Sequence, residues 1–317
     1  MSLSAAPSTA GDAQAYADEA IAQGSQSFAA ASRLFHEGTR RDVAKLYAWC
    51  RHCDDVVDGQ ALGHGRVASA HSPAGRLQAL EEATAAALDG GSANHPAFAA
   101  LRDVAERHAI PKHLPFDHLA GFRMDAEGRR FATLDELLSY CYGVAGVVGV
   151  MMAHVMGARA EETLDRACDL GLAFQLTNIS RDVVEDAENG RLYLPLDWLE
   201  EAGVPADEVA RPEHRAAVAG VARKLVESAE PYYASAQAGI ADLPFRAAWA
   251  VDTARGVYRA IGRKVLSRGP RAWDSRARTN GAEKIILLIG GGAGALRSRR
   301  RTGSPRPAEL WTRPRHP

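Results

Sequence analysis

Leu46-Tyr47-Ala48-Trp49-Cys50-Arg51-His52-Cys53-Asp54-Asp55-Val56-Val57-Asp58 is the stretch on which the reading of this chain turns. It lies within a helical segment, and residues four apart on a helix share a face, so Asp54 and Asp58 present a carboxylate pair. Asn178-Ile179-Ser180-Arg181-Asp182-Val183-Val184-Glu185-Asp186 repeats the arrangement with Asp182 and Asp186. Like charges at this spacing cost a helix roughly 0.2–0.5 kcal/mol, and something positive must offset that. Mg²⁺ typically takes a few carboxylates together with substrate phosphate oxygens. Two facing pairs would hold several such ions around a diphosphate, and Arg51 and Arg181 would fork onto the remaining phosphate oxygens. The bland alternative is a pair of solvated acidic faces. The apolar flanks (Leu46, Tyr47 and Trp49; Leu172, Phe174 and Leu176) argue against it.

Working outward, the signal is helical almost everywhere. Alanine is abundant and period-two alternation of β-branched residues is scarce. Helices are expected over residues 12–33, 38–58, 73–89, 96–108, 134–156, 160–188, 212–241, 244–267 and 281–296, with Gly and Pro marking the turns. Long helices joined by short turns predict one all-α domain. The expected organisation is a flexible N-terminus (1–11), a helical domain (12–296) and a basic, mobile tail (297–317).

Lys+Arg 38 against Asp+Glu 39 leaves a net charge of −1, so there is no overall electrostatic case for nucleic-acid binding. From Arg297 onward, seven Arg face one Glu, which makes the tail +6 and the remainder −7. The bland reading of that tail is a solvated terminus. The sharper one is attraction to anionic lipid headgroups. No signal-peptide core is visible, and no unbroken run approaches the ~18 apolar residues of a spanning helix. Four cysteines imply no disulfide scaffold, and the expected compartment is the cytoplasm. Cys50-x-x-Cys53 lacks a second pair and sits within a helix, so it is not read as a zinc site. Gly290-Gly291-Gly292-Ala293-Gly294-Ala295 mimics a dinucleotide loop, but too little chain follows to complete the unit. His52, His113 and His118 are scattered and read as structural or surface residues.

The chain resembles the squalene/phytoene synthase family, most closely its bacterial phytoene-forming branch. The matching stretches are Gly24-Ser25-Gln26-Ser27-Phe28, residues 46–58, Tyr140-Cys141-Tyr142-Gly143-Val144-Ala145-Gly146-Val147-Val148-Gly149, residues 174–186 and Gly190-Arg191-Leu192-Tyr193-Leu194-Pro195. The resemblance implies a class I isoprenoid-synthase bundle around a central cavity. It also implies head-to-head condensation of two geranylgeranyl diphosphates, through prephytoene diphosphate (a cyclopropylcarbinyl diphosphate), to 15-cis-phytoene and two diphosphates. That reaction is the first committed step of carotenoid biosynthesis. By the same resemblance Asp54, Asp58, Asn178, Asp182 and Asp186 are metal ligands for several Mg²⁺ (or Mn²⁺). Ser25, Ser27, Arg51 and Arg181 contact diphosphate, while Gln175, Tyr142 and Tyr258 line the cavity, a tyrosine helping to steer the cation or take a proton. Gln26 stands where the family commonly has Lys, which removes one cationic phosphate contact.

Two other functions compete: a C30 squalene or dehydrosqualene synthase using farnesyl diphosphate, and a non-catalytic assembly protein on the same fold. The latter should have lost aspartates, and this chain keeps all four. No nicotinamide-binding signal appears, so NADPH is not expected. Gly143, Gly146 and Gly149 lie on one helical face and admit two readings, room for a long isoprenoid chain or close helix packing. An enzyme with a water-insoluble product suits peripheral attachment to an anionic membrane through the basic tail, in reach of downstream carotenoid enzymes.

Overall fold

A computed structural model describes residues 10–24, 29, 31–59, 72–299 and 305–316. Among them there is no β-strand. The helices are α1 (Ala10–Gln23), α2 (Glu37–Asp58), α3 (Pro73–Leu88), α4 (Pro96–His108), α5 (His113–Ala126), α6 (Leu134–Val155), α7 (Glu161–Glu188), α8 (Leu196–Glu201), α9 (Arg215–Gly239), α10 (Phe245–Arg268) and α11 (Gly281–Ser298). The all-α expectation is met, and most boundaries fall within a few residues of those read from periodicity.

Helix α5 and the short α8 are the elements that periodicity did not show. The α5 sequence carries a proline, Pro115, at the third position of the helix. There a backbone N–H has no intrahelical partner to lose, so proline is tolerated.

Local chemistry sets several ends. Ser72 caps α3 by accepting from the Gly75 N–H, with Pro73 at the first position. Asn280 and Glu283 form a reciprocal capping box on α11. Gly59 adopts φ 65°, the left-handed turn that stops α2 directly after Asp58.

Helix α7 is central, packed along α9, α6 and α10. Trp49, Leu101, Leu119, Met151, Leu172 and Leu176 are fully buried between these layers. Helix α6 is long and apolar enough to cross a membrane, but most of it is buried inside the bundle, where it serves as a core helix. It contains a π turn over Tyr142–Gly146.

The glycine face on α6 resolves mainly into packing. A Cβ at Gly143 would lie 2.7 Å from the Gly121 Cα on α5, and one at Gly146 would press on Cys168 and Leu172 of α7. Gly149 borders the cavity but also abuts the Ala167 carbonyl. Glycines 291 and 294 likewise seat α11 against Thr253 and Asp252 of α10. The apparent dinucleotide loop is therefore a helix seam.

The C-terminal segment is not a free basic tail over its described part. Residues 305–316 form a strap on α7. Arg306 forks onto Asp169 at 2.7 and 2.8 Å, Arg313 pairs with Asp165 and Glu161, and Arg315 bridges the same two carboxylates. Leu310 is buried, and the Tyr232 hydroxyl accepts from the Trp311 N–H. Composition alone could not show that this charge is matched by a stripe of carboxylates on α7.

Candidate active site

Asp54 and Asp58 occupy the last two turns of α2, and Asp182 and Asp186 those of α7. Helix C-termini carry partial negative charge, and neither last turn holds a basic residue. The aspartates thus add charge where the backbone is already electronegative. Arginines balance it. Arg51 reaches Asp54 at 3.0 Å and Asp55 at 2.7 Å. The Arg181 Nε donates to Asp182 at 2.8 Å. Arg276, from the loop after α10, donates to Asp182 at 2.8 Å and reaches Glu185 at 3.2 Å. Arg191, from the loop after α7, pairs with Asp58.

Arg191 also links the two pairs electrostatically, because its charge acts on both Asp54 and Asp186. Even so, Asp54 is pushed up to about 6 by removal from water, with Asp58 and Asp55 adding to the shift against the pull of Arg51. Asp186 is pushed up to about 7 by burial and by the neighbouring Asp182. This many carboxylates in partial desolvation make a site that is short of positive charge.

Beside it opens a cavity of about 330 Å³, walled almost entirely by apolar side chains of α6, α7 and α10. Its polar rim is Tyr47, Gln175, Asn178 and Tyr258. Tyr258 stacks on Phe174 with ring centroids 4.1 Å apart, and burial holds its phenol above the ordinary value. At the other end lie Thr163 and Arg166. From Asn178 back to Thr163 the cavity follows α7 for roughly 22 Å, at about 1.5 Å per residue.

One atom speaks directly to a cation. The Asn178 Oδ1 is buried with no hydrogen-bond partner, while its Nδ2 donates to Gln175 at 3.4 Å. An orphaned amide oxygen among carboxylates is the donor set of a hard divalent ion, so these residues fit the metal that the sequence reading expects.

Of the expected residues, Gln175, Asn178 and Tyr258 line the cavity. Arg51 and Asp54 act electrostatically on Tyr47, and Arg181 and Asp182 on Tyr258, at its rim. Arg191 ties Asp58 and Asp186 to that group. Ser25, Gln26 and Ser27 lie outside the described residues. Tyr142 is not brought to the cavity, contrary to expectation. Its hydroxyl donates to Asp117 at 2.5 Å and its ring packs on Trp311 of the strap. The π turn at 142–146 shifts the helical phase, so Val144 and Ala145 face the cavity instead. Sequence reasoning assigned no role to Arg191, Arg276 or Tyr47. Arg191 lies within a quoted stretch, but its partner Asp58 is 133 residues away. His52, stacked on His95, and His118, bonded to the Gly143 carbonyl at 2.8 Å, are structural.

The family model for squalene/phytoene synthase matches residues 21–283. The chain belongs to the squalene/phytoene synthase family. It is 54% identical over 300 residues to a 15-cis-phytoene synthase of Pantoea ananas, covering 94% of this chain and 97% of that protein. It is 53% identical over 299 residues to one of a Paracoccus species, covering 94% and 97%. Among solved structures, a dehydrosqualene synthase with a bound ligand superposes with a TM-score of 0.80 at 27% identity, over 91% of this chain and 98% of that one. A squalene synthase from Alicyclobacillus acidocaldarius shares the fold, with a TM-score of 0.66 at 20% identity over 91% and 93%.

Proposed function

We propose that this chain is a prenyltransferase that condenses two geranylgeranyl diphosphates head to head into 15-cis-phytoene. The observation that carries the proposal is the pairing of an arginine-balanced aspartate cluster with a deep apolar cavity that opens beside it. Near-full-length identity to bacterial 15-cis-phytoene synthases favours this product over a C30 hydrocarbon.

Asp54, Asp58, Asn178, Asp182 and Asp186 would hold the divalent ions. When bound, these supply Lewis-acid neutralisation of the leaving diphosphate. Arg51, Arg181, Arg191 and Arg276, held by carboxylates in the free protein, are placed to turn toward phosphate oxygens. The apolar walls keep water from the allylic cation, and the faces of Phe174 and Tyr258 stabilise it. The second substrate's double bond attacks that cation. A C–H bond at the second substrate's C1 breaks so that its electron pair closes the cyclopropane ring, and the first released diphosphate takes that proton. The cyclopropyl diphosphate so formed then loses its own diphosphate at the same mouth. The rearranged cation ends by proton loss: a C–H bond breaks, a C=C bond forms, and diphosphate takes the proton. Tyr142 is turned away, and Tyr258, its phenol raised by burial, stays protonated.

Membrane attachment is a separate proposal with a changed basis. Of the four arginines at 297–301 on which the expectation rested, Arg299 donates to the Leu243 carbonyl at 2.9 Å, and Arg300 and Arg301 lie outside the described residues. The strap arginines 306, 313 and 315 are spent on α7. Ile285, Ile286, Ile289 and Leu296 of α11 are instead 58–69% exposed. An apolar helix face ending at Arg297 suits the interface of an anionic bilayer.

The deciding assay offers purified protein C15 and C20 diphosphates with Mg²⁺, with and without NADPH, and identifies the hydrocarbon. Phytoene from the C20 substrate without reductant is expected. Faster C30 synthesis from farnesyl diphosphate, or a strict NADPH requirement, would overturn the reading.

A further inference from the structure

We infer that His113, Asp117 and His316 form a second metal site, selective for a zinc-type transition ion, which fastens the C-terminal strap to α5. One donor atom from each of the three lies within 4.8 Å of the others. His113 and Asp117 are one turn apart on α5, so a rigid helix presents both on one face. His316 comes from the strap. Its Nε2 is 3.1 Å from the Asp117 Oδ2, and its ring stacks on His113 with centroids 4.1 Å apart. In a tetrahedral zinc site, bonds of about 2.0–2.1 Å put neighbouring ligand atoms about 3.3 Å apart. One edge is already at that spacing, and turning the imidazole of a terminal residue closes the rest.

The surroundings are those of a supported site. The Tyr142 hydroxyl donates to the Asp117 Oδ2 at 2.5 Å and fixes the carboxylate, the kind of outer contact that orients metal ligands. This gives a use to the tyrosine that the cavity does not take. Nearby Arg313 and Arg315 would repel a cation, but both are paired with Glu161 and Asp165. His113 and His316 also border a separate surface pocket, together with Arg313, Arg315 and Arg159, the last held on the carbonyls of His154, Ala158 and His108. A water from that pocket would supply the fourth ligand. Two imidazoles and one carboxylate suit Zn²⁺ or Co²⁺ and not Mg²⁺, which prefers oxygen throughout. None of the three residues lines the reaction cavity.

Co²⁺ is the probe, titrated into the full chain in excess Mg²⁺ and followed by its visible absorption. The wild type and Asp54→Asn/Asp182→Asn double variant should both bind one Co²⁺ with a tetrahedral spectrum that Zn²⁺ displaces. His316→Ala, a terminal change that spares the bundle, and His113→Ala should each weaken binding by at least about tenfold. Zn²⁺ should also slow tryptic cleavage after Arg315 in the wild type and not in His316→Ala. The proposal is overturned if the histidine variants titrate like the wild type, if Mg²⁺ displaces Co²⁺, if the double aspartate variant abolishes the spectrum, or if cleavage ignores Zn²⁺.

Discussion

Near its start α7 carries Glu161, Asp165 and Asp169 at four-residue intervals, and near its end Asp182 and Asp186 at the same interval. The first set is closed. Asp169 is fully buried, forked by Arg306 and bonded by the Ser235 hydroxyl at 2.5 Å. The second set lies one and two turns beyond Asn178, which lines the cavity; Arg181 and Arg276 sit on Asp182, while Asn178 leaves an oxygen unmatched. The same residue types at the same spacing therefore serve as a fastening at one end and, in the function proposed above, would serve as a cation site at the other. What separates them is whether a partner from the chain itself fills the coordination.

The largest expected effect breaks the cation end. Asp182→Asn and Asp54→Asn should each lower turnover by about 10³-fold or more, because several kcal/mol of charge stabilisation at the leaving group is lost. Far-UV circular dichroism should remain that of the wild type. Turnover near the wild-type rate would place the chemistry elsewhere.

Breaking the fastening should do the reverse. Arg306→Ala leaves Asp169 charged and unpaired in the interior, which costs about 3–5 kcal/mol. Thermal unfolding should shift downward, while the folded protein keeps its Mg²⁺ dependence. A variant as stable as the wild type would mean that the strap does not hold α7.

A smaller effect tests the cavity between the two ends. Ala167 lines it roughly 16 Å from Asn178 along the helix. Ala167→Phe should lower turnover of the C20 substrate relative to C15 by about tenfold or more, since pocket discrimination of this kind is worth a few kcal/mol at most. An unchanged ratio in product assays would show that the chain lies along another path.

The smallest effect is on pH. Asp54 and Asp186 hold protons up to about 6 and about 7 in the folded protein, whereas the unfolded chain loses them near 4. Unfolding therefore releases protons between about pH 4 and 7, and metal-free stability contributed by these groups declines as pH rises through that window. Divalent ions require the ionised form, so Mg²⁺ affinity should rise from pH 5.5 to 7.5 with proton release. Calorimetry in buffers of different ionisation enthalpy would detect it, and a pH-independent affinity would contradict the raised values.

Much of this was legible in the sequence because it is local. The aspartate pairs, the bundle and the long α7 follow from spacing within one helix. What was not legible depends on distant partners. Arg306 meets Asp169 across 137 residues, and no periodicity encodes that meeting. Tyr142 was misplaced because a π turn changes which face its neighbours present, and Asp117 and Trp311, which hold it, lie on other elements. Helix α5, which periodicity did not show, carries a proline that is harmless in a first turn.

The central claim is that the pairs on α2 and α7 act as one clamp. Mn²⁺ binding to the full chain in the presence of inorganic diphosphate, read by electron paramagnetic resonance, tests it most directly. The wild type should bind several Mn²⁺ cooperatively with diphosphate, and Asp54→Asn and Asp182→Asn should each abolish the cooperative set. If either variant kept the full complement, or if diphosphate had no effect on Mn²⁺ binding, the two pairs would not be one site.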